Sequence, residues 1–181
     1  MLNEKQQKQL LKIARESVEF FVKTRKFLAF EIKDEGLNEN QGAFVTLRIG
    51  QHLRGCIGQI EPDEKPLWQV VRDMAIEAAI NDPRFNPVSE EDLKKLSYEI
   101  SVLSPPEKIN NWKNIELGKH GVIIKRGAQG GVFLPQVAEE TGWSLEEFLK
   151  NLCVSKAGLE ENCYKNKEVD LYVFTAQVFW E

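Results

Sequence analysis

Histidine and cysteine are scarce in this chain, and their spacing argues against several kinds of site. Two histidines, His52 and His120, and three cysteines occur among 181 residues. Cys56, Cys153 and Cys163 form no CxxC pair and share no zinc-type spacing with a histidine, so we expect no metal. An odd number of cysteines also argues against a disulfide framework. We therefore expect reduced thiols, as in the cytosol.

The chain also lacks a long apolar run. No stretch approaches the roughly 18 apolar residues that a membrane-spanning helix needs. Its opening, MLNEKQQKQLLKIARES, has the pattern of an amphipathic helix and not the basic and then apolar pattern of a secretory signal. We therefore expect a cytoplasmic protein that does not associate with membranes.

An excess of positive charge is missing as well. Lysine and arginine total 24 against 28 aspartates and glutamates, which gives a net charge of −4. Nucleic-acid-binding domains are usually basic, so nucleic acid is not the expected partner. Net charge does not describe how charges are distributed, so a local basic groove that binds RNA is kept as an alternative. Its candidate residues are Arg54, Arg84, Lys125 and Arg126.

The common catalytic and cofactor motifs do not occur. There is no GxSxG and no HExxH, and the glycine-rich stretch Gly127–Gly131 lacks the Lys-Ser/Thr ending of a phosphate-binding loop. A hairpin turn explains that stretch, and we expect no cofactor. Trp112, Trp143 and Trp180 are interpreted as core or interface residues and not as a platform for stacking bases.

The first half of the chain predicts a helix, a hairpin and a second helix. An apolar stripe runs through residues 4–26. Val45, Leu47 and Ile49 then alternate with polar residues, and Gly50 supplies a turn into a second strand. A helix begins near Pro66, follows a three-four apolar spacing, and stops at Asn81-Asp82-Pro83 because proline disfavours helical geometry in the residue before it.

The second half adds strands in pairs with helices between them. YEISVLSPPE reads as a strand that proline stops, GVIIKRG and GGVFLP as two further strands, and LYVFTAQVFWE as a final β-prone run. Helices are predicted at 136–142 and 144–153, the latter opened by a Ser144–Glu147 capping box. This order indicates an α+β fold with a mostly antiparallel sheet and flanking helices.

Several ordered motifs resemble those of the AMMECR family. They begin with residues 42–47 (GAFVTL) and the segment LRGCIG at 53–58. Further matches span nearly the whole chain from about residue 10: NDPRF, EISVLSPP, HG, LPQVA, GW and KAGL. The microbial branch that the chain resembles is called AmmeMemoRadiSam system protein A.

The resemblance implies a fold and a neighbourhood but no reaction. It implies a single domain over residues 1–181, with a larger and a smaller lobe and a cleft between them that holds LRGCIG. It also implies that microbial members tend to occur beside a Memo-like protein and a radical S-adenosylmethionine (SAM) enzyme. The expected function is therefore that of an accessory or ligand- and partner-binding component acting with those proteins.

Cys56 is the residue in LRGCIG with the most reactive chemistry. Arg54 lies two residues away and, by strand alternation, would share its face, where a guanidinium favours the nucleophilic thiolate. Gly55 and Gly58 would let a ligand or another backbone approach closely. One alternative is therefore an enzyme with Cys56 as nucleophile and Arg54 as anion stabiliser. Another is that Cys56 is a buried packing residue.

Four further residues complete the candidate site. Asp82, Arg84 and Phe85 lie in the bend after the second helix, where Asp82 could pair with Arg54 or Arg84. His120 could act as an acid or base, as histidines often do, but no partner for it is visible in the sequence, and a loop histidine at a strand start is the preferred interpretation. An RNA-binding protein is the remaining alternative function. The candidate ligand-binding residues are Arg54, Gly55, Cys56, Gly58, Asp82, Arg84, Phe85 and His120.

Overall fold

The computed structural model describes residues 1–61 and 64–181, which divide into two compact units. Unit 1 comprises Met1–Leu103 with Gln177–Glu181, and unit 2 comprises Ser104–Ala176. Within the described residues each unit has one four-stranded sheet and its own buried apolar cluster. The sheets are antiparallel and α-helices accompany them, so the predicted α+β class is confirmed.

The helices and strands largely follow the predicted order. The α-helices are α1 Glu4–Thr24, α2 Leu67–Ile80, α3 Gln136–Thr141 and α4 Leu145–Asn151. The strands are β1 Ala43–Ile49, β2 His52–Gln59, β3 Leu96–Leu103, β4 Glu107–Ile109, β5 Gly121–Arg126, β6 Gln129–Phe133, β7 Asp170–Phe174 and β8 Ala176–Trp180. The short strand β4, just after the two prolines, was not predicted.

Unit 1 packs α1 and α2 against one face of its sheet. Asn3 caps α1, since its side chain accepts a hydrogen bond from the backbone N–H of Gln6, and the Gln6 side chain accepts one in return. The strand order is β2-β1-β3-β8, so β2 is an edge strand. Leu47 and Ile100 on the helix-facing side are fully buried. Burying side chains of this size contributes about 1.5–3 kcal/mol each.

The face of this sheet opposite the helices carries a different set of residues. Because side chains alternate along a strand, the neighbours of the buried Leu47 and Ile100 point to that opposite face. The register places Thr46 beside Cys56 on one side and beside Glu99 on the other. A row of thiol, hydroxyl and carboxylate side chains therefore crosses three strands.

Unit 2 contains the strand order β4-β7-β5-β6, with α3, α4 and the turns after them completing its core. Ser144 and Glu147 form the predicted capping box at the start of α4. The helix continues as a π-helical segment, Leu152–Lys156, which ends in the KAGL motif. Cys153 is fully buried in this core.

The prediction of three reduced cysteines is wrong for two of them. Cys153 and Cys163 form a disulfide in the unit 2 core, and Cys56 remains a free thiol. Their Cα atoms are 6.0 Å apart, an ordinary separation for a disulfide. The pair is ten residues apart in sequence, a spacing that has no recognised signature. Only the return of the chain after the π-helical segment brings the two sulfur atoms together.

The final β-prone run forms two strands. Thr175 divides it into β7, which pairs in the sheet of unit 2, and β8, which pairs in the sheet of unit 1. Trp180, at the end of β8, is 69% exposed and is not a core residue. Among residues 1–61 and 64–181, no helix has both the length and the apolar character that a membrane span requires.

Candidate functional site

The space beside each glycine of LRGCIG, where a side chain would otherwise lie, is occupied by other atoms of the protein. A Cβ on Gly55 would overlap the backbone carbonyl of Ala78, so glycine lets α2 lie directly on β2. A Cβ on Gly58 would overlap the ring of Phe44, its partner on β1. The close approach that the sequence predicted is therefore to backbone and ring atoms within unit 1.

Arg54 does not lie on the thiol. Gly55 pairs with Leu47 and Leu53 pairs with Arg48, so Arg54 is an extra residue at an irregularity in the ladder. Its guanidinium donates to the carbonyl oxygens of Asn86 at 2.7 Å and Pro87 at 3.1 Å. A third contact, to the carboxylate of Asp92, measures 3.1 Å. The prediction that alternation places Arg54 beside Cys56 is therefore wrong, because the irregularity breaks the alternation.

The residues that do reach Cys56 follow α2. The Asp82 carboxylate accepts a hydrogen bond from the backbone N–H of Cys56 at 2.8 Å, and the Arg84 guanidinium donates to the Cys56 carbonyl oxygen at 3.3 Å. Arg84 also donates to both carboxylate oxygens of Asp82, at 2.7 and 2.9 Å. Of the two arginines that the sequence offered to Asp82, the structure selects Arg84.

Asp82 is a buried charge with several hydrogen-bond donors. Only 4% of the residue is exposed. The Arg84 side chain above all, helped by the backbone N–H groups of Cys56 and Arg84, holds the pKa of Asp82 well below its usual range, against the opposing effect of burial. The pair therefore stays ionised and fastens the turn after α2 to the edge of β2.

The Cys56 thiol lacks the environment of an activated nucleophile. Burial raises its pKa, and this effect exceeds the lowering by a hydrogen bond from Thr46 and by the charge of Arg84. The Thr46 hydroxyl lies 3.3 Å from the sulfur. The carboxylates of Asp82 and Glu99 raise the pKa further. A reactive cysteine needs the opposite balance, in which positive charge outweighs burial.

Thr46 was missed at the sequence level for a definable reason. Ile49 pairs with His52 across the Gly50 turn, and continuing that register would set Cys56 opposite Val45. The extra residue at Arg54 shifts the register by one and brings Thr46 opposite Cys56 instead. No sequence pattern on its own marks the shift.

The segment from Asp82 to Asp92 presents an exposed loop. Pro83, Arg84, Asn86 and Pro87 are exposed, and the Arg84 guanidinium lies over the ring of half-buried Phe85, 5.4 Å from its centroid. Arg54 holds the far end of this segment and the Asp82–Arg84 pair holds the near end. We call residues 83–87 the edge loop.

His120 and the remaining basic candidates lie in unit 2. The Nδ1 atom of His120 accepts a hydrogen bond from the backbone N–H of Glu116 at 3.1 Å, which ties a turn before β5. Arg126 forms an ion pair with Glu160 at 2.7 Å, and the Lys125 ammonium lies over the ring of Tyr172. Within the described residues no cluster of three or more histidine, cysteine, aspartate or glutamate side chains is placed to hold a metal ion.

The structure thus brings together seven of the eight candidate residues within unit 1, whereas His120 belongs to unit 2. The seven, all in unit 1, are Arg54, Gly55, Cys56, Gly58, Asp82, Arg84 and Phe85. Thr46 and Asp92 join them as contacts that the sequence did not predict.

Comparison with known proteins finds relatives that match this chain over most of their length. The AMMECR1 family model matches residues 11–179. A protein of Nanoarchaeum equitans, Protein NEQ441, is 43% identical over 180 residues, covering 95% of this chain and 98% of the relative. Protein MJ0810 of Methanocaldococcus jannaschii is 40% identical, covering 94% of this chain and 88% of its own.

A solved structure shows the same fold. The crystal structure of the uncharacterised protein PH0010 from Pyrococcus horikoshii superimposes with a TM-score of 0.92 at 37% identity, covering 99% of this chain and 93% of that one. The resemblance drawn from LRGCIG and the motifs that follow it is therefore confirmed, and the chain belongs to the AMMECR1 family.

Proposed function

We propose that the protein is a non-catalytic binding component whose edge loop docks a partner protein, and that the partner is the Memo-like protein or the radical SAM enzyme. The observation that carries this proposal is the use made of LRGCIG. Arg54 and both backbone polar groups of Cys56 are occupied in holding residues 82–92. LRGCIG thus holds the edge loop, residues 83–87, in place at the surface of unit 1.

The edge loop has the properties of a preorganised interface. Arginine and aromatic residues carry a large share of binding energy at protein interfaces, and here Arg84 and Phe85 are adjacent and stacked. The side chain of Arg84 is 55% exposed despite its ion pair with Asp82. Prolines at 83 and 87 limit the freedom of the loop. A loop already held in its bound shape loses less entropy on docking.

The enzyme alternative has less support from the same contacts. The pKa of the Cys56 thiol is raised, and Arg54, its intended anion stabiliser, has three protein acceptors. The RNA alternative required Arg54, Arg84, Lys125 and Arg126 to present free charge. Three of these are paired with a carboxylate, which favours neither a basic groove nor RNA as the partner.

A binding measurement with the purified partners tests the proposal. The protein is titrated by calorimetry into the Memo-like protein and, separately, into the radical SAM enzyme. Phe85→Ala should weaken binding about tenfold or more, the usual cost of truncating a central interface residue. Phe27→Ala is the matched control, since Phe27 is also in unit 1 and is 61% exposed, but lies outside the edge loop.

Three results would count against the proposal. If the protein bound neither candidate, the proposed partners would be rejected. If the Phe85→Ala and Phe27→Ala variants bound with equal affinity, the edge loop would be rejected as the docking surface. Turnover that Cys56→Ser abolishes at unchanged stability would favour the enzyme. Survival of partner binding in Cys56→Ser is the expected outcome, because the Cys56 contacts to Asp82 and Arg84 use backbone atoms.

A further inference from the structure

A groove of about 390 Å³ is lined by residues of β1, β3 and the chain end at β8, among which Arg48, Ser97 and Glu99 point to the face of the unit 1 sheet opposite α1 and α2. Arg48, Ser97, Glu99 and Trp180 contribute to its lining. Arg48 pairs with Ser97 across β1 and β3, and β8 follows next in the sheet, so the groove crosses three strands. Its volume is within the range of about 300–1,000 Å³ typical of small-molecule sites.

The Arg48 guanidinium is available to an anion. Arg48 is half-buried, and within residues 1–61 and 64–181 its side chain has no hydrogen bond and no ion pair. Arg15, Arg54, Arg72, Arg84 and Arg126, in contrast, each contact a carboxylate. A planar guanidinium with donors to spare suits a phosphate, which it can contact through two parallel hydrogen bonds.

Trp180 supplies an exposed aromatic face in the same groove. Its neighbour Phe179 is buried in the core, so alternation turns the Trp180 ring to the opposite side. An indole left 69% exposed stabilises the fold little, because most of its surface still faces water. Aromatic side chains of this kind form platforms on which nucleic-acid bases stack.

The acidic residues of the groove limit the charge of the ligand. Glu99 and Glu181 also contribute to the lining, and Glu181 is already paired with Arg15. Among the described residues the Arg48 guanidinium is an unpaired positive charge beside carboxylates, so the groove suits a ligand with one phosphate group better than one with two or three phosphate groups. The Glu99 carboxylate and the Ser97 hydroxyl can accept hydrogen bonds from sugar hydroxyls.

We propose that this groove binds a mononucleotide, with its phosphate on Arg48, its base on Trp180 and its ribose hydroxyls at Glu99. The groove uses none of the edge-loop residues, so the proposal is independent of partner docking. Adenosine 5′-monophosphate, adenosine and inorganic phosphate are the probes, titrated by calorimetry into the full chain. Adenosine monophosphate should bind more tightly than either of its parts, since only it engages both Arg48 and Trp180.

Two variants test the assignment of groups. Arg48→Gln should weaken binding of adenosine monophosphate about tenfold or more, the usual effect of losing a charge-assisted hydrogen bond, and leave adenosine unchanged. Trp180→Ala should weaken both. Arg126→Gln is the matched control, because it removes one arginine charge in unit 2. Thermal unfolding of each variant confirms that it is folded before titration.

Several outcomes would overturn the mononucleotide. No heat of binding at millimolar adenosine monophosphate would do so, as would equal losses in Arg48→Gln and Arg126→Gln. Binding of inorganic phosphate as tight as that of the nucleotide would remove the role of Trp180. A 5′-phosphorylated octa-adenylate that binds more tightly than the monomer would assign the groove to a nucleic-acid strand.

Discussion

The carboxylate of Asp82 accepts a hydrogen bond of 2.8 Å from the backbone N–H of Cys56, so the turn that ends α2 also covers the free edge of β2 at this residue. Edge strands leave backbone donors and acceptors open to other chains. Here one ion pair, Asp82 with Arg84, satisfies both the N–H and the carbonyl oxygen of Cys56. LRGCIG and NDPRF are therefore held together by the contacts of Asp82 and Arg84 with the backbone of Cys56.

Removing the charge of Asp82 should destabilise unit 1. Asp82→Asn leaves the Arg84 guanidinium without its ion pair and weakens the contact with the Cys56 N–H. We expect a loss of about 2 kcal/mol in the free energy of unfolding, measured with urea at pH 7. Glu16→Gln is the control, because Glu16 forms an exposed pair with Lys12 and should change stability by less than about 0.5 kcal/mol. Equal effects of the two substitutions would contradict this role for Asp82.

The same residue should make stability depend on pH in a defined direction. The pKa of Asp82 is lowered in the folded state, so the unfolded chain takes up this proton first as the pH falls. The stabilisation is complete above about pH 4, the ordinary range of an aspartate, and is lost as the pH falls from there toward the folded pKa. The difference in unfolding free energy between the wild type and Asp82→Asn should therefore shrink below about pH 4. A difference that stays constant from pH 7 to pH 3 would show that Asp82 does not titrate as described.

Gly55 should be required for folding, whatever the function of the segment. Gly55→Ala places a methyl group against the Ala78 backbone, and strand and helix must separate, at a cost of about 3 kcal/mol or more. Gly50→Ala is the comparison, since no atom lies within 4 Å of its Cβ position and only its left-handed φ of 59° is unfavourable. That substitution should cost about 1–2 kcal/mol by urea unfolding. A Gly55→Ala variant as stable as Gly50→Ala would mean that β2 does not rest on α2.

Which parts of this site the sequence could predict follows from the range of each interaction. Alternation in β1 and the glycine at position 50 predicted the hairpin, because both signals are local to a few residues. The role of Arg54 depended on register across two strands, and one extra residue redirected its side chain to Asn86, Pro87 and Asp92. Composition does not encode such a shift. That LRGCIG and NDPRF lie close together could be inferred, because the Asp82 carboxylate could pair with an arginine. The sequence did not determine whether that arginine was Arg54 or Arg84.

The Cys56 thiol should react slowly with alkylating agents at neutral pH. Burial raises its pKa, so the rate with iodoacetamide should keep rising above about pH 8.5 and show no plateau near pH 7. Thr46→Val removes the hydroxyl whose hydrogen bond lowers the pKa, and should shift the profile to still higher pH. Peptide mapping of the labelled protein gives the rate at Cys56 alone. Rapid labelling with a midpoint below pH 7 would restore the activated cysteine and the enzyme hypothesis with it.

The disulfide of unit 2 should be visible by counting thiols and should stabilise that unit. Unfolded without reductant, the chain should expose one thiol to Ellman's reagent, from Cys56, and all three of its cysteines after reduction. The bond closes a short loop, with a sequence separation of 10, so its loss through Cys153→Ser with Cys163→Ser should cost about 2–3 kcal/mol in the free energy of unfolding. Cys56→Ser is the control, because it removes a cysteine without opening a loop.

Because Cys153 and Cys163 are fully buried in the folded unit, reductant should act on them only as fast as the unit opens, and the reduction rate should rise with urea. Three reactive thiols before reduction would contradict the bond and return all three cysteines to the reduced state that the sequence predicted.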